Sequence, residues 1–225
     1  VVASLFLLGH VSDWMGRRRM LVIAILVSAL SAVLFMVFTD VAGLLVARVV
    51  NGVSIGILTA TATAHLGELR ARARPDENAI VAASVAGGAN LGGLALGPLI
   101  GGVFADYLPD PLHLPHTVFA IVLICLAIAV ALVPETVAPQ HRQYRPQRIA
   151  VPASSRGAFV AAGFAAFAGF ALLGLFTSLA PTLLVGTFGE TRHLVAGVTV
   201  FLVFGSAAAA QVLLARVSRR SQLLF

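Results

Sequence analysis

Gly9-His10-Val11-Ser12-Asp13-Trp14-Met15-Gly16-Arg17-Arg18-Arg19 sets one carboxylate and three guanidiniums in a short link between two apolar runs. Val1 to Leu8 ahead of it are almost wholly apolar, and Met20 to Phe38 behind it run nineteen residues without a charge. At about 1.5 Å per residue such a run crosses a hydrocarbon core of roughly 30 Å, so the link reads as a loop between membrane helices. Gly16 can take the positive φ of a sharp reversal. Topology anchoring explains the arginines. It does not explain Asp13, because insertion gains nothing from an acid four residues before a basic cluster. A carboxylate there pairs with Arg17 at i,i+4 or accepts from the N-terminus of a neighbouring helix.

The composition agrees. Of 225 residues, 59% are hydrophobic and 11% charged, whereas a soluble domain carries about 25% charged residues. The chain is therefore an integral membrane protein. The net charge of +6 does not point to nucleic acid, because the arginines lie between apolar spans rather than on a basic face. All fifteen basic residues are arginine, which reflects codon bias more than function. The single Cys125 lies inside an apolar run and excludes a disulfide framework.

Whole spans are expected at about 20–38, 42–66, 79–105, 115–133, 157–187 and 194–215, after a partial helix that opens the chain. Eight residues before Gly9 cover only about 12 Å, and another apolar run begins near Ser221 to Phe225, so the chain reads as a fragment. Arginines in successive loops number three (17–19), none, three (70, 72, 74), none, four (142, 145, 148, 156), one (192) and three (216, 219, 220). By the positive-inside rule, loops 13–19, 67–78, 134–156 and 216–222 are cytoplasmic. The opposite loops carry Asp40, Asp106, Asp110, His113, His116, Glu190 and His193. Residues 134–156, with four prolines and no apolar period, read as a linker between a bundle at 1–133 and a second at 157–225. Pro134-Glu135-Thr136 marks the helix stop.

One arginine lies outside this alternation. Arg48 sits about 9 Å into its span, where a charge costs about 2.5 to 3.5 kcal/mol. It either snorkels to the outer interface or faces a polar cavity. Arg48, Asn51 or Gly52, Ile55 and Thr59 share one face, which favours the cavity.

Three stretches together carry a resemblance. Gly9, Asp13, Gly16, Arg17 and Arg18 match G-x-x-x-D-[RK]-x-G-[RK]-[RK], the loop between helices 2 and 3 of the major facilitator superfamily of secondary transporters. Trp14 stands where that family usually has a basic residue. The stretch from Leu44 to Gly56 resembles the family's helix 4 motif, R-x-x-Q-G-x-G, at Arg48 and Gly52, with Asn51 for the usual glutamine. Gly93-Leu94-Ala95-Leu96-Gly97-Pro98-Leu99-Ile100-Gly101-Gly102 matches G-x-x-x-G-P-x-x-G-G in full, the helix 5 motif of its drug-type antiporter branch. Gly93 and Gly97 stack one turn apart and open a groove for close helix approach, while Pro98 frees a carbonyl.

The resemblance implies an all-α, polytopic helix bundle of two six-helix halves, here from part of helix 2 to the start of helix 9. It further implies a multi-pass transporter of the plasma membrane that exports small organic solutes in exchange for protons by alternating access. In that scheme Gly9, Asp13, Gly16, Arg17 and Arg18 form a conformational latch. Arg48, Asn51 and Gly52 serve coupling and substrate handling, and the helix 5 motif meets a small-residue patch, Gly205 to Ala210, at a moving interface. The expected partners are a small-molecule substrate, protons and the lipid bilayer, with no nucleic acid, no cofactor, no metal and a monomeric state. A uniporter or symporter of the same fold, and a non-transporting membrane subunit, are the alternatives. No catalytic set can be assembled, so no enzyme is indicated. Phe164, Phe167 and Phe170 face lipid or an apolar cavity, and Glu68 is solvated, proton-linked or paired with Arg17 or Arg18.

Overall fold

The computed structural model of the chain describes residues 1–73, 79–138 and 151–214. Among these every regular element is helical: α1 (Val2–Leu8), α2 (Ser12–Met15), α3 (Arg17–Val37), α4 (Val41–Ala73), α5 (Ala79–Tyr107), α6 (Leu114–Ala131), α7 (Arg156–Phe188) and α8 (His193–Leu214), with 3₁₀ turns at Gly9–Val11 and Ala153–Ser155. Helices α3 to α8 supply six segments long and apolar enough to cross a membrane. With no water in a hydrocarbon core, a helix is the element that satisfies every backbone N–H and C=O within itself. That constraint also explains why α5 and α7 run through Pro98 and Pro181 without ending.

The helix ends follow local chemistry. Gly16 adopts φ +101° and separates α2 from α3. Asp40 Oδ2 accepts the amide of Gly43 at 2.9 Å and caps α4. Pro115 enters the first turn of α6, where its missing N–H costs nothing. Gly189, at φ +64°, closes α7 while the Glu190 amide returns to the Leu184 carbonyl. Most bounds lie within about three residues of those expected from hydropathy. The exception is α4, expected to stop near 66 and observed to Ala73. Glu68, Arg70 and Arg72 continue the helix beyond its apolar run, because charge ends a membrane span without ending a helix. Part of the loop expected at 67–78 is therefore helical. Residues 139–150 of the linker, Arg74, and the expected loop at 216–222 with the start of a ninth helix lie outside the described residues.

The contacts divide the chain into two units, Val1–Gly87 with Pro109–Gln147 and Gly88–Leu108 with Arg148–Phe225. In the first, α3 packs along both α4 and α6, and α1 packs on α4. Its helix contacts mix small residues, the buried Ala24, Ala29, Ala32 and Ala47, with the buried Met20, Leu21, Ile25 and Ile57. Between helices in lipid, close backbone approach replaces the hydrophobic drive available in water. Two buried hydroxyls tie α3 to α4, Ser31 to the Ala47 carbonyl at 3.0 Å and Ser54 to the Ala24 carbonyl at 2.7 Å. The larger apolar side chains Ile23, Leu26, Leu30 and Val33 point outward, as a lipid-facing surface requires. In the second unit Ala95 of α5 is buried against Val200 and Phe204 of α8, with Leu173 of α7 packed beside them.

Candidate functional site

The opening stretch gathers a polar network at the junction of α2 and α3. Arg17 is its hub. Its Nε and Nη2 donate to Glu68 Oε1 on α4 at 3.1 and 3.0 Å, and its Nη1 donates to Ser12 Oγ at 2.6 Å. The same Nη1 lies 2.5 Å from Asp13 Oδ1. Asp13 thus makes the i,i+4 pair, and no helix N-terminus is brought to it among the described residues. The two pairs differ in setting: the Arg17 side chain is 12% accessible and Glu68 33%, whereas Asp13 is 56% accessible.

The carboxylate that does sit at a helix N-terminus is Glu135, just past the end of α6. Its Oε1 accepts the Arg17 amide at 2.8 Å and its Oε2 the Arg18 amide at 3.1 Å, the first orphan donors of α3. The Thr136 and Val137 amides add 3.0 and 3.3 Å bonds to Oε1. Burial works against the charge of Glu135, and the amides of Val137, Arg18, Thr136 and Arg17 outweigh it, so its carboxyl is held below the usual glutamate range. Arg18 answers from the other side, donating to the Ala131 and Val133 carbonyls at the end of α6 at 3.4 Å each. Each helix end thereby receives the charge that suits its dipole.

Thr136 completes the network, donating its hydroxyl to Glu68 Oε2, lying 2.9 Å from Nδ1 of the buried His65, and receiving Arg72 Nη2 on its carbonyl at 2.6 Å. Gly16 serves two ends here. Its φ is one that side chains avoid, and a Cβ on it would lie 2.6 Å from Glu135 Oε2. Gly9 admits α4, since a Cβ there would come 3.0 Å from that of Ala60. Trp14 packs on the cluster of Val11, Met20, Ala24 and Ile57. An indole at the usual basic position therefore joins the core.

Sequence reading identified Asp13, Arg17 and Glu68 but took Glu135 and Thr136 only as a helix stop. The available signal was an acid in an otherwise arginine-rich loop, as unexpected there as Asp13.

Arg48 is exposed, as are Leu45 and Val49 on the same face of α4, and it has no partner among the described residues. Asn51 and Gly52 are partly buried, and the Gly52 carbonyl accepts Ser4 Oγ of α1 at 3.0 Å. Arg48, Asn51 and Gly52 thus lie within one turn of α4, with Arg48 at its exposed edge. Phe164, Phe167 and Phe170 are exposed on α7.

The glycine motif of α5 divides by role. Nothing lies within 4 Å of a Cβ built on Gly93, Gly97 or Gly101, and all three line an open groove of about 620 Å³ shared with α7 and α8. Gly102 lines the same groove but at its tight edge, where a Cβ would lie 2.8 Å from the His193 carbonyl and from the Leu194 Cα. Gly197 of α8 likewise meets the Pro98 carbonyl too closely for any side chain. Further along, Gly88 meets Val212, so α5 and α8 run antiparallel with glycines at both ends of their contact. Of the small-residue patch at Gly205 to Ala210, the Ala208 carbonyl lies 3.7 Å from a Cβ built on Gly88. No group of three or more His, Cys, Asp or Glu side chains that could hold a metal occurs among the described residues.

The model of the Major Facilitator Superfamily matches residues 1–225. A curated relative, the inner membrane transport protein YnfM of Escherichia coli (strain K12), is 29% identical over 143 residues, covering 64% of this chain and 32% of its own length. This chain thus matches about a third of that relative. No solved structure matches it. The six apolar helices, the charged junction at Gly16 and a family match that runs the length of the sequence lead to one conclusion: the chain belongs to the Major Facilitator Superfamily.

Proposed function

We propose that the native protein carrying this sequence is a proton-coupled exporter of small organic solutes, working by alternating access in the plasma membrane. The observation that carries this reading is the full G-x-x-x-G-P-x-x-G-G match from Gly93 to Gly102. Its geometry supports the assignment. Gly102, Gly197 and the Pro98 carbonyl bring α5 and α8 together through backbone, with few side chains to interlock, and a seam of that kind permits sliding or pivoting. Asp13, exposed beside a junction already held by Glu135, is the arm of the latch free to engage and release, while Gly9, Gly16, Arg17 and Arg18 shape and hold the junction. Arg48, with Asn51 and Gly52, serves coupling. The protein works as a monomer, and 13–19 and 134–156 face the cytoplasm.

Reconstitution in proteoliposomes tests this. Across a panel of small organic cations and neutral apolar solutes, at least one should accumulate against its gradient when a pH gradient is imposed and not without one. Equilibration indifferent to the pH gradient would assign the protein to uniporters of the same fold.

A further inference from the structure

The contact between α5 and α8 is apolar and glycine-lined over most of its length, and at one end a single side chain fastens it. Asp106, in the last turn of α5, accepts the His193 amide on Oδ1 at 3.1 Å and the Leu194 amide on Oδ2 at 2.8 Å. These are the first amides of α8, which have no partner inside their own helix. The His193 ring adds its Nδ1 at 2.9 Å from Oδ1. The Asp106 side chain is only 16% accessible although it stands at the end of its helix, because α8 covers it. The other acid of this region, Glu190, bonds the Arg192 amide at 3.0 Å within its own loop. Asp110 likewise stays local, pairing with His113. Among the described residues, Asp106 is thus the one ionised group that links α5 to α8.

We propose that Asp106 is a releasable clasp that holds the outer ends of α5 and α8 together. Resting on the alternating-access reading, it is made while the outer side is closed and broken when that side opens. The chemistry suits release. Both amides and the carboxylate lie at the helix ends, where water can replace each bond as it breaks, so parting leaves no buried group unpaired. Meanwhile the nearest contacts, Gly102 and Gly197 against backbone, interlock no side chain, and the packed cluster of Ala95, Val200 and Phe204 lies further along where a pivot could turn on it. A carboxylate on two helix N-terminal amides combines charge-assisted bonds with the helix dipole, and its loss shifts an equilibrium between two states without requiring either to unfold.

The test uses the full native chain in nanodiscs with Cys125→Ala and a reporter, Ala105→Cys, on the groove beside the clasp. Asp106→Asn should raise the rate of labelling by a membrane-impermeant thiol reagent added outside by roughly tenfold, the share of a charge-assisted pair that a carboxamide loses. Leu194→Pro attacks the same bond from the other side by removing one amide donor, at a helix position that tolerates proline, and should act in the same direction. Glu190→Gln should leave the rate unchanged. Unchanged labelling in Asp106→Asn and Leu194→Pro, both eluting as folded protein, overturns the clasp. So does an equal rise in Glu190→Gln, which would mark general loosening. A protein that shows the labelling shift but transports nothing in the solute panel would refute the exporter reading and leave the clasp standing. Transport with no labelling shift would do the reverse.

Discussion

Two carboxylates in this molecule do the same local job in different surroundings. Glu135 holds the first amides of α3, and Asp106 holds the first amides of α8. Around Glu135 stand Arg17, Arg18, Glu68, Thr136 and Arg72, so α3, α4 and the end of α6 are cross-linked several times within one unit. Around Asp106 the described structure adds only the His193 ring to those two amides, and the helices it joins otherwise meet through glycines and the apolar cluster of Ala95, Val200 and Phe204. A redundant network resists the loss of any one bond and stiffens the body it belongs to. A single carboxylate on an otherwise apolar seam can be opened at one place. The difference separates a part that carries load from a part that can move, although the motif-level chemistry is the same.

That contrast orders the expected effects. Arg17→Ala should be the most damaging change, because it leaves Glu68 partly buried without its cation. A loss of about 3 kcal/mol is expected in unfolding of the detergent-solubilised protein, with Arg17→Lys recovering part of it, since an ammonium cannot reproduce the fork. A loss below about 1 kcal/mol would mean the network is not structural. Gly16→Ala comes next, at about 2 kcal/mol, for a side chain forced to φ +101° and against Glu135. Glu135→Gln should cost about 1.5 kcal/mol at neutral pH and carries a sign that pH can read. Because the folded carboxyl is held below its ordinary value, its contribution is complete above roughly pH 4.3 and is lost as pH falls through the folded pKa. The midpoint of thermal unfolding should thus drop on acidification more steeply in the wild type than in Glu135→Gln. Parallel pH profiles would remove Glu135 from the network. Asp13→Asn should be the mildest, within about 1 kcal/mol, as its pair with Arg17 is largely exposed. Its effect belongs to the distribution of states instead.

Much of this was legible in the residues. Apolar runs of membrane length, charge-free but for Arg48, together with arginines that alternate between successive loops, locate all six spans, because in lipid the helix is obligatory and hydropathy sets its length. Gly16 was legible as a reversal, and its φ bears that out. The continuation of α4 to Ala73 was not, since hydropathy reports the membrane boundary rather than the helix boundary. Glu135 escaped notice because the amides that tie it to α3, those of Arg17 and Arg18, lie more than a hundred residues away and leave no trace in local sequence. Asp106 and His193 escaped for the same reason, being joined only once α5 and α8 lie side by side. Arg48 stood out through its cost in lipid, yet cost identifies a residue without naming its partner, and the structure leaves it exposed.

The central claim is that a stiff inner network and a releasable outer clasp take different parts in one motion. It is tested most directly by paired labelling in the native chain with Cys125→Ala. One reporter is Ala105→Cys near the clasp, probed from outside, and the other is Leu94→Cys toward the opposite end of the same groove, probed from the cytoplasmic side. In Asp106→Asn the outer rate should rise and the inner rate fall. In Asp13→Asn the inner rate should rise and the outer rate fall, and in Glu135→Gln both should stay near wild type while stability drops. Rates that rise together at both reporters, or a Glu135→Gln that shifts them as Asp106→Asn does, would contradict it.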